Sequence, residues 1–516
     1  MVGADTAYVF GSNDFAILSI TNAGKTVYFE NGQTNNITEG LAFTGLPGNR
    51  LTLRPIADGS PWYLDVSGAV TPTLNEIDVR YSSADPGSTL TTLNSTDSSF
   101  NNNWVFTVAG QTNVWTGGVD TSWANAANWD LGRPPIPADG RVVISDGVND
   151  PLLPSSQTFK ELRIDPGAIL YLNGKNLTAD ETVDIGGELR ATGVELIQFN
   201  ADVVATGTVT MAGGEVVRFK GDIDMSSGTF TKSAAHVFID GTTAQSIFVS
   251  STDFYRLTVT NQGGMVTFSG ALLADFYRSE DTDVTYSNNA TIIDFRVNSP
   301  SGPVTQTFGG GATYSFTDVF FVGGVASTQT LASTSGGAWL LNVSSVAYVK
   351  YADVTLSDAS GSADLIVPAR CKDSGGNVNW DFGQTWSFWT GASGSSFGTA
   401  ASWDPSGVPD GTTHVLIDDT TTCTISSPRS VRRLLVGGTV ESLIEVNSSL
   451  TVGQNVDMAN YGTLEINDDP GATVSNNVFV GNGGIITHND NGSTEADRLV
   501  LSVLNNVSVN AGGRID

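Results

Sequence analysis

The side chains best suited to holding a ligand are two pairs of tryptophans. Trp115 and Trp129 stand fourteen residues apart, and so do Trp389 and Trp403. An exposed indole stacks on the apolar face of a sugar, so the four could form carbohydrate platforms. The same rings also suit a half-buried joint, where the indole fills space and its N–H finds a partner at the rim. Each pair recurs in the same position relative to a following turn and strand, as a joint would.

A second set offers oxygen atoms. Asp97, Asn101 and Asn103 share an Asp-x3-Asn-x-Asn spacing with Asp373, Asn377 and Asn379. Oxygen ligands in a Gly-rich loop could hold Ca2+, a hard cation. It is the one cofactor these residues suggest. Asp and Asn also close turns through their own backbone and tolerate left-handed conformations. No glutamate completes a ligand shell nearby, and the pattern is not that of an EF-hand.

Two adjacent carboxylate pairs, Asp418-Asp419 and Asp468-Asp469, invite comparison with polysaccharide-cleaving enzymes. In a strand, however, neighbouring residues point to opposite sides, so a working pair needs members from different coils. No Asn-Thr-Asp, Gly-His-Gly or Arg-Ile-Lys string of the polygalacturonase kind occurs. His236, His414 and His488 are far apart and form no zinc signature, and the first two read as strand residues without a partner. Cys371 and Cys423 lack any CxxC spacing and could pair only if the fold joins them. Neither a Gly-x-Ser-x-Gly elbow nor a phosphate loop is present. No residue is expected to be catalytic.

The elements that carry these residues are short strands in a repeat. A Gly, a small or acidic residue and an apolar one recur as Gly167-Ala168-Ile169, Gly187-Glu188-Leu189, Gly207-Thr208-Val209 and Gly228-Thr229-Phe230, in steps of 20, 20 and 21 residues. Between them lie period-2 stretches such as Val209/Met211, Val217/Phe219 and Ile223/Met225, which read as half-buried strands. A period near 20 residues predicts a β-solenoid, each coil burying its apolar row by stacking on the next. The C-terminal part repeats the theme at Gly438-Thr439-Val440, Gly462-Thr463-Leu464 and Gly484-Ile485-Ile486.

A larger repeat overlies the small one. Val114-Trp115-Thr116-Gly117 returns as Phe388-Trp389-Thr390-Gly391, and Ala126-Ala127-Asn128-Trp129-Asp130 as Ala400-Ala401-Ser402-Trp403-Asp404. Upstream, Pro61-Trp62 matches Ala338-Trp339, and Val79-Arg80-Tyr81 matches Val349-Lys350-Tyr351. Further back, Asp14-Phe15 through Val27-Tyr28-Phe29 is matched to Asp253-Phe254 through Val266-Thr267-Phe268, which places extra coils in the second copy between about 269 and 338. The register predicts residues 1–107 as the end of one module, 108–382 as a complete module and 383–516 as the start of a third, a slice of a longer repetitive protein.

Composition agrees. The chain has 516 residues, 24 Lys+Arg against 53 Asp+Glu, a net charge of −29, and 58 glycines. Such a balance repels nucleic acid and anionic lipid, so neither is expected as a partner. The N-terminus has no basic signal-peptide region, and no apolar run reaches the ~18–20 residues of a membrane span.

The strings Val349-Lys350-Tyr351 through Gly361, Asp373 through Phe382, and Trp389 through Pro409 resemble repeats in very large bacterial secreted or surface proteins. These are grouped with autotransporter-passenger and filamentous-haemagglutinin-like adhesins. The resemblance implies an all-β, right-handed parallel β-helix (β-solenoid) with tandem modules and Trp-containing junctions. It also implies an extracellular or cell-surface location. A chain wholly of this kind would extend roughly 110 Å at about 4.8 Å per coil. The function expected is that of a structural or adhesive segment, a stalk or adhesin without catalysis or membrane insertion. Its partners would be flanking modules and a surface polysaccharide or a host or prey cell surface. The rivals are a carbohydrate-binding surface protein using the junction tryptophans and a polysaccharide lyase or hydrolase of the β-helix type.

Overall fold

The computed structural model describes residues 6–250, 252–391, 395–467, 471–489 and 499–516. These residues form a parallel β-solenoid whose helical content is two short 3-10 turns, Ala126–Asn128 and Ala400–Ser402. The chain divides into two compact units. One comprises Met1–Trp115, Ala124–Val143 and Phe159–Glu161; the other comprises Thr116–Trp123, Ile144–Thr158 and Leu162–Asp516.

The first unit stacks two parallel sheets. One runs Thr6–Val9, Thr26–Phe29, Leu51–Pro55, Ile77–Val79, Thr96–Asp97; the other is centred on the long strand Thr34–Thr44. Inward positions stack coil on coil, Val9 on Phe29 and Val27 on Leu53 on Val79. Phe29 and Trp62 lie parallel with ring centroids 4.0 Å apart.

The second unit begins with a central stack of three-strand coils. The predicted Gly-led segments are strands of one sheet, called here the Leu170 sheet, where Leu170, Leu189, Val209 and Phe230 form a single inward ladder. The glycine before each strand is required by close approach. A Cβ on Gly207 would lie 1.9 Å from the Gly187 carbonyl oxygen of the preceding coil. A second sheet carries Ile164, Ile185 and Ala205 inward, and a third, the Phe199 sheet, carries Phe199, Phe219 and Ile239. The turns are closed by buried carboxylates. Glu195 accepts from the backbone N–H groups of Thr192, Gly193 and Gly174, and Glu215, one coil on, from those of Ala212 and Gly213. These bonds hold the Glu195 carboxyl below its ordinary pKa against the opposing effect of burial.

From residue 253 the Phe199 sheet lengthens to strands of seven to ten residues, Asp253–Val259, Leu272–Glu280, Ala290–Asn298 and Thr313–Val322. The large repeat is visible here with one correction. Phe308 stacks on Trp339 at 4.2 Å as Phe29 does on Trp62, and a tight bridge at Gly324–Ser327 repeats that at Leu46–Asn49. The counterpart of Thr26–Phe29 is therefore Thr305–Phe308, two coils beyond the Val266–Phe268 segment expected. Coils of similar pattern slide over one another in a sequence match; the ring stack fixes which one corresponds.

The C-terminal stack also has three sheets. Its inward rows include Val415, Leu434, Val456 and Val478, with Ile444, Leu464 and Ile486 on the next side. Here Gly462-Thr463-Leu464 pairs with Ser442-Leu443-Ile444. Gly438-Thr439-Val440, matched to it in the sequence, lies in the turn before that strand.

Candidate functional site

The two tryptophan pairs occupy equivalent joints. Trp115 meets Trp129, and Trp389 meets Trp403, across a short antiparallel pairing, whereas the strands stacked from coil to coil pair in parallel. The indoles are edge to face, with centroids 5.1 and 5.0 Å apart. All four are buried, at 0–3% exposure. Trp389 Nε1 donates to the Thr421 carbonyl oxygen at 3.1 Å, and Trp403 Nε1 to that of Phe397 at 2.8 Å. A sugar stacks on an open ring face, and these faces are covered by protein.

The Asp/Asn sets are also equivalent. Asp97 Oδ1 accepts from Ser99 N and Asn101 Nδ2; Asp373 Oδ1 accepts from Gly375 N and Asn377 Nδ2. Asn101 and Asn377 each donate to a carbonyl one coil back and accept a backbone N–H. Asn103 and Asn379 have φ near +60° and donate to carbonyls of the preceding coil. The side-chain oxygens named for a cation are thus spent largely on closing a turn between coils.

The remaining candidates separate. Asp418 accepts from Tyr348 Oη at 2.7 Å and from Thr439 N, while Asp419 caps its own turn through Thr421 N. Asp468-Asp469 lies outside the described residues. Cys371 and Cys423 are both free thiols, and burial raises the pKa of each, that of Cys371 to about 12. His236 and His414, read as strand residues without partners, do have them. His236 Nε2 lies 2.7 Å from Thr258 Oγ1, and His414 Nε2 lies 3.3 Å from Gln384 Oε1. Among the described residues, no group of three or more His, Cys, Asp or Glu side chains is placed to hold a metal.

The feature that sequence reading missed is a docked sheet and the groove beside it. The strands Trp386–Trp389, His414–Ile417, Arg433–Val436, Val456–Met458 and Val478–Val480 are buried on both faces. Their outward residues Phe388, Leu416, Leu435 and Phe479 pack against Phe320, Val346 and Tyr348 of the central stack. Gly438 permits the approach, since a Cβ there would meet the Tyr348 ring at 2.6 Å. Buried polar groups fix the register. Asp318 accepts from Asn482 N and Asn510 Nδ2, and Asn482 Nδ2 donates to Asp294 Oδ2. Within the docked sheet itself, Arg433 Nε donates to Asp457 Oδ2 at 2.5 Å. Burial raises the Asp318 pKa.

Docking covers the Phe199 sheet only in part. Where the cover stops, a groove of about 520 Å³ opens, floored by outward residues of successive coils and walled by Asn460, Tyr461 and Asn482. Strand register sets the floor: His236, Arg256, Phe276 and Asp294 stack in one row, and Phe238, Thr258, Arg278 and Arg296 in the next, a row that Arg218 continues beyond the groove. Arg296 is clamped by both oxygens of Asp294, Arg278 pairs with Glu280, and Arg218 with Asp240. Arg256 is exposed, lies 5.7 Å from the Phe276 ring centre, and has no ion pair among the described residues. Burial, with the charges of Arg256 and Arg218, lowers the His236 pKa to about 4, so the ring is neutral at pH 7. A second groove, of about 540 Å³, holds Lys232, but both Asp253 and Asp275 neutralise it. The signal in the sequence was the recurrence of Arg218, Arg256, Arg278 and Arg296 at about one- and two-coil spacing in an arginine-poor chain.

Residues 114–299 match the model of a family described as a domain of unknown function (DUF8693). No curated protein and no solved structure matches the chain. The matched segment includes the Trp115/Trp129 joint, the three-sheet coils and the first of the lengthened strands. The chain is thus a β-solenoid, part of which is similar to that domain of unknown function.

Proposed function

We propose that the chain is a structural and adhesive segment of a long extracellular repeat protein, without catalysis. The observation that carries this reading is how the outward and turn-forming polar groups are used. Glu195, Glu215, Asp97, Asp373, Asn101 and Asn377 all bond within a coil or to the next one. Side chains so engaged stabilise stacking and are held away from substrate. The tryptophans, most suggestive in the sequence, serve as buried joints between strand segments. Polar Thr, Ser, Asn and Asp rows on the uncovered faces suit a surface exposed to solvent.

The test is made on cells carrying the natural protein. Protease added to intact cells is expected to remove the epitopes of this segment, and antibodies to label unpermeabilised cells. Labelling that appears only after lysis would defeat the extracellular reading. Release of reducing ends or unsaturated products from a polysaccharide panel by the purified chain would defeat the non-catalytic one.

A further inference from the structure

We propose that the groove beside the docked sheet binds an anionic glycan, a saccharide chain bearing carboxylate or sulfate groups, with Arg256 as its principal contact. The proposal deepens the adhesive part of the reading above.

The first argument is charge. The whole chain carries more than twice as many acidic as basic side chains. The groove reverses that balance, with Arg256, Arg278 and Arg296 against Glu280 and Asp294. Two of its guanidiniums are fixed by those carboxylates, which leaves Arg256 as an exposed cation with open donors. A guanidinium presents a planar fork that matches a carboxylate or sulfate. At physiological salt the Debye length is about 8 Å, so the groove's local charges outweigh the distant acidic surface for a ligand seated in it.

The second argument is the chemistry of the walls. Phe238, Phe276 and Tyr461 line the groove, and Tyr461 is 49% exposed. Thr258, Asn460 and Asn482 set hydroxyl and amide groups among the rings. Apolar faces interleaved with hydrogen-bonding groups are what a saccharide, with its C–H faces and equatorial hydroxyls, requires. The neutral His236 adds a polar ring without charge, so the cationic character of the site comes from arginine and persists across the neutral range.

The third argument is the scaffold. The floor residues sit on adjacent coils of a parallel sheet, about 4.8 Å apart. Side chains repeated at that spacing favour an extended polymer over a small anion. Docking of the C-terminal stack then makes the wall, so neither stack alone forms the site.

The experiment is calorimetric titration of the purified chain at 150 mM NaCl with four probes: an oligouronate, a sulfated oligosaccharide, a neutral glucan oligosaccharide and inorganic sulfate. One or both anionic oligosaccharides are expected to bind, the neutral glucan and sulfate at least tenfold more weakly. Arg256→Glu is expected to lower the affinity about tenfold or more, as loss of a charge-assisted contact does. Arg163→Glu, an exposed arginine on another sheet, should leave it unchanged. Tyr461→Ala is a second variant should Arg256→Glu fail to fold. Absence of binding by both anionic oligosaccharides overturns the proposal. So does equal binding of glucan or of sulfate alone, or equal loss in Arg163→Glu and Arg256→Glu. These outcomes are read on the purified chain, so they are independent of where the protein resides.

Discussion

The Leu170 sheet of the central stack and the docked sheet of the C-terminal stack are built on the same coil and meet different surroundings. In the first, strands such as Glu188–Arg190 and Thr208–Thr210 bury one residue and turn the others to solvent. In the second, His414–Ile417 and Arg433–Val436 bury every residue. Inward rows are alike in the two. The outward rows differ: Glu188, Arg190, Thr208 and Thr210 in one, Leu416, Leu435 and Phe479 in the other. Loss of alternation is the mark of a parallel sheet covered on both faces. The comparison teaches that a solenoid acquires a lateral partner by changing only its outward row.

The largest effect expected from breaking that contrast is at Arg433. Its side chain is 6% exposed, and the guanidinium is bonded to Asp457, whose side chain is 1% exposed. Arg433→Ala leaves that carboxylate buried without its partner and is expected to cost about 3–5 kcal/mol. Arg163→Ala, which opens an exposed pair with Asp165, should cost about 1 kcal/mol or less. Urea denaturation of both variants compares them, and similar costs would mean that the docked face is wet in solution.

Leucine truncations sharpen the same point. Leu189→Ala, in the inward row, is expected to cost about 2–5 kcal/mol, since it opens a cavity. Leu435→Ala, in an outward row, should fall in the same range, because Leu435 is only 3% exposed. A negligible effect at Leu435 alone would show that the two stacks do not stay docked.

The smallest effect is a pH dependence. His414 is fully buried in the docked face, and burial, then Arg433 and Arg432, lowers its pKa to about 4. The unfolded chain binds this proton near pH 6.5 and the folded chain does not until about pH 4. Stability is therefore expected to fall as pH drops through that window. His414→Gln should remove this part of the pH slope, read as the difference in melting temperature between pH 7 and pH 5 in the two proteins. An unchanged slope would place the histidine in contact with water.

Much of the fold and little of the candidate site was legible in the sequence. The Gly-led period of about 20 residues yielded the inward ladder of Leu170, Leu189, Val209 and Phe230, because alternation and close coil contact are local requirements. The same locality misled at Phe29, whose partner coil was misplaced by two turns, since coils of like pattern are interchangeable until a long-range stack such as Phe308 on Trp339 selects one. For the tryptophans the sequence left both a sugar platform and a joint open, with their recurrence beside a turn pointing to the joint, and the structure buries all four indoles. The arginines were passed over because each lies alone in its strand.

The sequence by itself determined that this chain winds into parallel coils, which residues face inward, and where the Trp joints interrupt the winding. Those properties rest on period-2 alternation, glycine at close approaches and Asx turns, all set within one or two coils. Only the tertiary structure decided which outward face is covered and which arginines share a groove. The contacts responsible join residues 188 positions apart, as Asn482 does to Asp294, and 70 apart, as Tyr348 does to Asp418. No local preference encodes such pairings; they follow from the burial of Leu416, Leu435 and Phe479 against whatever surface the fold brings to them.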